Sequence, residues 1–330
     1  MQVNDTMERR RRFEATKQVY ESEKLRFIGV DGYDVYNVSI PFESDGRRCL
    51  FGRVERREEW ARSWVRLFEN TGKDEWTLAP NSMIYPLEDP CVSVLGGELL
   101  LGGTHVRYRQ GAVDTLYAYF YRGTDPKDLV YFATGPDGMK DIRLVELADG
   151  RIGVFTRPKG LEIARRYGSL AMIGFTVFGS LDELTPETIE QAPYLTGLYD
   201  KDEWGGCNQA YLLDDGRIGV IGHHGYKNVS EDGEPILSYM AVSFVLDPDS
   251  REWTDYRIIA TRSCYPAGPA KRPRLIDCVF AAGIELRADG KTILYGGIGD
   301  TEAGRIVIDN PFEPHGRIVS RTTDKGPPSR

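Results

Sequence analysis

Residues 139–158, MKDIRLVELADGRIGVFTRP, read as a tight β-hairpin in which an apolar run climbs to Asp149-Gly150 and a second apolar run follows it. Asp-Gly between two such runs predicts a type I′ turn, because both residues tolerate the positive φ that this turn demands. The unit recurs. Asp215-Gly216-Arg217-Ile218-Gly219-Val220 repeats Asp149-Gly150-Arg151-Ile152-Gly153-Val154 letter for letter, and looser copies turn at Asp45-Gly46, Gly96-Gly97 and Asp289-Gly290. The five turns are spaced by 51, 53, 66 and 74 residues. One hairpin unit recurring at about 40–50 residues or more is the signature of a β-propeller, one unit per blade. The predicted fold is therefore all-β, a five-bladed β-propeller.

The polar residues of these hairpins fall in step. Eight or nine positions before the second turn residue stand Asn37, Asp89, Asp141 and Asn208; seven positions after it stand Arg53, Thr104, Arg157 and His223. Equivalent positions of equivalent hairpins lie at one height around a closed ring, so these side chains should gather at one end of the central axis. Such a ring reads as a pocket for a polar ligand that carries anionic charge.

A chain of 330 residues with 41% hydrophobic residues suffices for one large all-β domain. Blades cannot fold apart, which favours one domain over two. The predicted division is an N-terminal helical arm over 1–24, the propeller over 25–315 and a disordered tail over 316–330. The net charge of −8 argues against nucleic acid as the main partner. The run Arg9-Arg10-Arg11-Arg12 reads as a solvated helix face, and the arm is a candidate dimer contact. Cysteines at 49, 91, 207, 264 and 278 form no CxxC pair, as expected of reduced thiols in the cytosol. No apolar stretch approaches the ~18–20 residues of a membrane span, and no secretion signal is visible. The two Asn-x-Ser matches, at Asn37 and Asn228, then read as chance.

Within the domain the blades are predicted over 27–78, 85–132, 139–178, 204–259 and 278–308, with an outer strand of the second blade at 115–122. Residues 180–191, SLDELTPETIEQ, are predicted to form a short helix with Ser180 and Thr185 as caps. Asp89 is the first candidate for chemistry. Glu88-Asp89-Pro90 opens an inner strand, and a carboxylate hemmed in near the axis can hold its proton at higher pH and serve as a general acid. Lys140, Arg157 and His223 lie on adjacent blades, with Arg143, Arg107 and Arg109 nearby in the pattern; such cations match phosphate oxygens. One acid beside several cations suits an enzyme whose nucleophile is already an anion, whereas a plain glycosidase needs a second carboxylate to activate water. Asp300 and Glu302 are candidate sugar-gripping carboxylates, and Trp204, Tyr36 and Tyr239 candidate apolar platforms. His105 and His224 read as ordinary strand-end residues. Four histidines without metal-ligand spacing predict no metal site.

Asn37, Arg53, Leu87-Glu88-Asp89-Pro90, Lys140-Asp141, Arg157-Pro158, Gly222-His223 and Tyr295-Gly296-Gly297 through Asp300 together form a familiar order. The chain resembles the five-bladed β-mannoside phosphorylases of glycoside hydrolase family 130. It resembles still more the mannosyltransferase/phosphorylases of glycosyltransferase family 108, formerly a domain of unknown function. The resemblance spans about residues 25 to 312. It implies an inverting single displacement in which Asp89 passes its proton through a sugar hydroxyl to the glycosidic oxygen. Inorganic phosphate, held by Lys140, Arg143, Arg157 and His223, attacks the anomeric carbon to give mannose 1-phosphate. Asn37, Arg53, Asp141, Asn208, Asp300 and Tyr239 would bind the sugar. The implied partners are β-1,2-mannan oligosaccharides and phosphate or GDP-mannose, with no other cofactor. Two positions depart from the phosphorylase pattern: Cys91 stands where Arg is usual, and Thr156 where His is usual. Two further readings stay open, an inverting hydrolase with Asp34, Asp141 or Asp300 as base, and a non-catalytic carbohydrate-binding propeller.

Overall fold

Each repeated turn joins the first two strands of an antiparallel unit. The computed structural model describes residues 5–230 and 232–319. The first unit pairs Asp34–Tyr36 and Phe42–Ser44 with Arg47–Glu55, followed by Trp64–Gly72 and Glu75–Leu78; Arg26–Ile28 adds to the last in parallel. The second is Glu88–Leu95, Glu98–Arg109, Ala112–Gly123 and Val130–Thr134; the third is Arg143–Glu146, Ile152–Thr156, Ile173–Phe178 and Tyr194–Leu195. The fourth runs Trp204–Leu212, Ile218–Val229, Pro235–Leu246 and Trp253–Ala260. The fifth is Asp277–Leu286, Thr292–Ile298 and Glu302–Ile308, and its last strand is borrowed from the other end of the chain: Glu21–Lys24 pairs antiparallel with 304–307. The protein is all-β apart from short helices such as Asp5–Thr16.

The core explains why no unit could stand alone. Five apolar clusters fill the joints between consecutive units rather than the units themselves. Phe51, Leu67 and Tyr85 meet Val92 and Leu101 across the first joint. Leu50, Phe68 and Trp76 meet Tyr295 and Ala303 across the last, where the fifth unit packs back on the first. Each fully buried Leu, Ile, Val or Phe contributes about 1.5–3 kcal/mol, so losing one neighbour strips half of a unit's support. The repeated glycine after the turn serves this packing. A Cβ on Gly153 would lie 3.1 Å from the Phe175 ring and one on Gly219 3.0 Å from Phe312, so the glycine seats an aromatic from elsewhere in the fold.

Several expectations need correction. The Asp149-Gly150, Asp215-Gly216 and Asp289-Gly290 turns are not type I′, because only the glycine has positive φ. In all three the Asp side chain instead accepts the N–H two residues on, as in Arg151 N to Asp149 Oδ1 at 3.0 Å, and the glycine N–H bonds back three residues. Both turn residues have positive φ only at Asp45-Gly46 and Gly96-Gly97. The expected outer strand of the second unit lies third, with Val130–Thr134 outside it. The expected helix at 180–191 splits into a 3-10 turn, Leu181–Glu183, and a helix, Pro186–Glu190, each with a capping box from Ser180 and Thr185. The basic run is a solvated face, as expected, at Arg11 and Arg12, whose side chains are 73% and 77% exposed, but not at Arg10. Arg10 donates to both oxygens of Asp277 at 2.6 and 2.8 Å and so docks the helix on its own chain, while Arg11 and Arg12 pair with Glu8. Of the expected tail, residues 316–319 run beside 212–214, with Ile318 bridging Leu213; residues 320–330 lie outside the described residues.

Candidate active site

The phased residues converge, and the backbone shows one reason for their phasing. Asn37, Asp89 and Asp141 have φ of 44°, 50° and 57°, a left-handed conformation that Asn and Asp adopt more readily than other side chains. At Asp89 the ladder slips between Glu88 and Cys91, so Pro90, which has no N–H to offer, sits in a bulge where none is needed. The kink turns the carboxylate inward. Asp89 is 5% exposed; its Oδ1 accepts from Asn37 Nδ2 at 2.8 Å and from the Arg53 guanidinium at 3.0 Å, and Lys140 Nζ stands 3.8 Å from Oδ2.

Arg53 is the hub of the acidic side. It is 6% exposed, lies over the Tyr36 ring, and donates to Glu88 at 2.9 Å as well as to Asp89, with Glu55 at 3.4 Å. Glu55 in turn is ion-paired with Lys271, both side chains fully buried. Expected to grip substrate, Arg53 instead has its donors taken up by carboxylates and by Ser63, and it orients Asp89. Tyr36, expected as a platform, is buried beside it.

The basic side is built on the third and fourth units. Asp141 receives Arg157 at 2.7 Å, with Arg143 at 3.5 Å. Arg157 also donates Nε to the Gly205 carbonyl at 2.8 Å, which fixes its fork. Arg143 was expected to hold phosphate, but it lies beneath Asp141 with its other donors on the Asn208 and Ile142 carbonyls, and it acts as a strut. His223 pairs Nδ1 with Asn208 Oδ1 at 2.7 Å, and its ring lies between Phe280 and Tyr239. Lys140 makes no hydrogen bond among the described residues, and its side chain is 27% exposed. Four of the phased residues each keep one buried polar atom without a hydrogen bond among the described residues: Asn37 Oδ1, Asp141 Oδ1, Asn208 Nδ2 and His223 Nε2. Such atoms cost about 1–3 kcal/mol each and are kept for a ligand or water.

Electrostatics divide the carboxyls by role. Burial pushes Asp89 up, but Arg53 and Lys140 outweigh it and hold this carboxyl below its ordinary range. That overturns the expectation of a raised Asp89 in the unliganded protein. The raised carboxyls are its neighbours: burial lifts Glu88 against the pull of Arg53, and burial lifts Asp300, which is half-buried and has no ion pair among the described residues. Burial and then Arg157 keep His223 well below 6.5, so it is neutral at pH 7. The unfolded chain therefore binds the extra proton below about pH 6.5, and this group makes stability fall with acidification by up to about 1.4 kcal/mol per pH unit. His223→Gln should remove that share of the slope; urea midpoints between pH 7 and 5 check it.

Sequence reasoning missed four members. Glu88 and Glu55 fall outside the phased positions, and Lys271 arrives from a loop more than 200 residues beyond its partner Glu55. Lys159, two residues past Arg157, is exposed, yet partial enclosure and the charges of Lys140 and Arg157 push its ammonium down, so the three cations share one region. Arg107 pairs with Asp114 at the exposed far end of its hairpin and does not join; Arg109 makes no contact there, and Glu302 pairs with Lys24. Trp204 is buried against Tyr239, which does reach the basic side. His224, read as an ordinary strand end, is buried between Glu203 and Tyr256. Among the described residues no three His, Cys, Asp or Glu gather as metal ligands.

The architecture places the chain in the class of propeller-type glycoside-hydrolase folds. A glycosyl hydrolase from Bacteroides ovatus superposes with a TM-score of 0.58 at 16% identity, covering 92% of this chain and 94% of that one. Within that class the chain belongs to the family described as "Protein of unknown function (DUF1861)", whose profile matches residues 11–314. MPT-4, a mannose phosphorylase from Leishmania mexicana solved with a phosphate ion, is 50% identical, with a TM-score of 0.92 over 97% of both chains. MPT-1, a GDP-Man-dependent mannosyltransferase from Leishmania mexicana, is 46% identical, with a TM-score of 0.89 over 96% of this chain and 98% of that one. No curated protein matches the chain.

Proposed function

We propose that the chain is an inverting β-1,2-mannoside phosphorylase/mannosyltransferase. Its five antiparallel units are the blades of one closed propeller, carried with an N-terminal helical arm. The chain is an enzyme of the glycosyltransferase/phosphorylase kind, as its two Leishmania relatives are. The observation that carries the finer reading is one buried acid, Asp89, wedged between Arg53 and Lys140, with Arg157 and Lys159 beyond.

In this reading phosphate settles against Lys140, Arg157 and Lys159, with His223 and Tyr239 closing its far side. Its oxygen forms the new bond to the anomeric carbon as the glycosidic C–O bond breaks. The leaving oxygen takes a proton from a sugar hydroxyl, which is refilled from Asp89; the proton lost by phosphate restores the acid. With GDP-mannose as donor, GDP leaves, an acceptor hydroxyl attacks, and Asp89 takes up its proton. Without phosphate, Arg53 and then Lys140 hold Asp89 low, and a dianion on Lys140 offsets the second of these pulls. Protonation of the acid is thereby tied to arrival of the nucleophile. Two of the candidate bases for hydrolysis are already engaged: Asp141 is locked by Arg157, and Asp34 is paired with Arg57 at 2.7 Å. Five buried free thiols support a reducing, cytosolic setting.

β-1,2-mannobiose with inorganic phosphate should yield mannose 1-phosphate, detected by phosphorus NMR. No turnover with phosphate or with GDP-mannose overturns the proposal; mannose release that ignores phosphate would favour a hydrolase.

A further inference from the structure

A second cavity, of about 910 Å³, opens where loops of the first, fourth and fifth units meet. Trp60 forms one wall, 44% exposed, and its ring has no aromatic or cationic partner among the described residues. Ile236 and Ile276 also line it, the latter 45% exposed, together with Arg272, Arg274, Asp232 and Glu234. The volume is near the upper end of ligand pockets, roughly 300–1,000 Å³.

The loop that walls this cavity also reaches the acidic side of the catalytic centre. Lys271, between the lining residues Ala270 and Arg272, sends its ammonium to Glu55 and donates its N–H to the Gly299 carbonyl at 2.8 Å. Ala270 packs on Gly299, where a Cβ would come within 3.1 Å of its Cα, and Asp300 follows directly. The cavity and the site therefore flank the same short turn.

We propose that this cavity binds the distal sugars of a mannose oligosaccharide whose reacting end lies at Asp89. The inference rests on the function proposed above. The flat, open indole suits the apolar face of a sugar ring. Guanidinium and carboxylate groups lining one cavity suit hydroxyls, which donate and accept. A nucleotide diphosphate fits less well, since Asp232 and Glu234 offset the attraction that Arg272 and Arg274 would give its charge. The Trp60 side chain can be cut back, because among the described residues its hydrogen bond is through its carbonyl, which accepts from the Tyr108 hydroxyl at 2.6 Å.

The test compares kcat/KM for phosphorolysis of β-1,2-linked mannotetraose and mannobiose in wild type and Trp60→Ala. The tetraose-to-biose ratio should fall about tenfold in the variant, mostly through KM, as for loss of one well-seated aromatic contact. An unchanged ratio overturns the inference, as does a larger loss in affinity for GDP than for mannotetraose by titration. Wild-type protein inert on both sugars would instead overturn the proposed function.

Discussion

Asp89→Asn should cut phosphorolysis by about three orders of magnitude while leaving the fold in place, in line with the ~10²–10⁴-fold worth of a positioned proton donor. Asparagine is the discriminating choice. It tolerates the φ of 50° at this bulge, and its amide oxygen can keep the bonds from Asn37 and Arg53. It cannot deliver a proton, and it presents an amide group toward Lys140. Glu88 and Glu55 still face Arg53, so the buried guanidinium is not stranded. Initial rates of mannose 1-phosphate release, alongside thermal melting, check the point; a kcat within tenfold of wild type would remove Asp89 from the mechanism. The acid limb of stability should move as well. Because Asp89 is held below its ordinary 3.8, its stabilisation is present above that value and is lost as pH falls through the folded one. The Asn variant should lack that loss.

Arg53→Met should be the most destabilising single change at the site, by about 3–5 kcal/mol, because it leaves a cluster of buried carboxylates without their cation. Glu88, Asp89 and Glu55 all lie within 3.4 Å of this guanidinium, and Lys271 and Lys140 can answer only two of the three. With the cation gone the carboxyls rise. A carboxyl raised on folding stabilises at low pH and stops doing so as pH climbs through its folded value, so the variant's deficit should shrink on acidification. Urea unfolding at pH 5 and pH 7.5 measures both effects. A deficit under about 1 kcal/mol at pH 7.5 would mean that Arg53 is not the hub described. Arg53→Lys should fall between, since it restores charge without the fork that spans Glu88 and Asp89.

The site was legible where it was phased. The repeat aligned Asn37, Asp89, Asp141 and Asn208 with Arg53, Arg157 and His223, because equal distance from a turn means equal height on a strand. What the phasing could not convey was the division of labour. Arg53 and Arg157 occupy equivalent positions, yet the first is surrounded by carboxylates, while among the described residues the second pairs with a single one, Asp141. Arg143 carries the same side chain and is a strut. Lys271 stood outside the pattern because it comes from an irregular loop, where nothing fixes height. The turns were legible in position but not in type, since Asp supports either a left-handed residue or a side-chain bond to the backbone, and only three-dimensional packing chooses. The strand at 21–24 was hidden for another reason: ESEK has no apolar alternation, and it is recruited as an edge by a partner near the other end of the chain.

That recruited edge has a bearing on how the protein is made. Glu21 finds Val307 only after the long stretch of chain between them has been made, which at about 5–20 residues per second takes some tens of seconds. Until then the first unit waits with the flank that packs on Tyr295 and Ala303 bare, so a prematurely stopped chain is expected to lack a set site. Catalytic competence comes with the last clasp, and a tag or truncation that blocks residues 21–24 would be felt on the opposite side of the sequence.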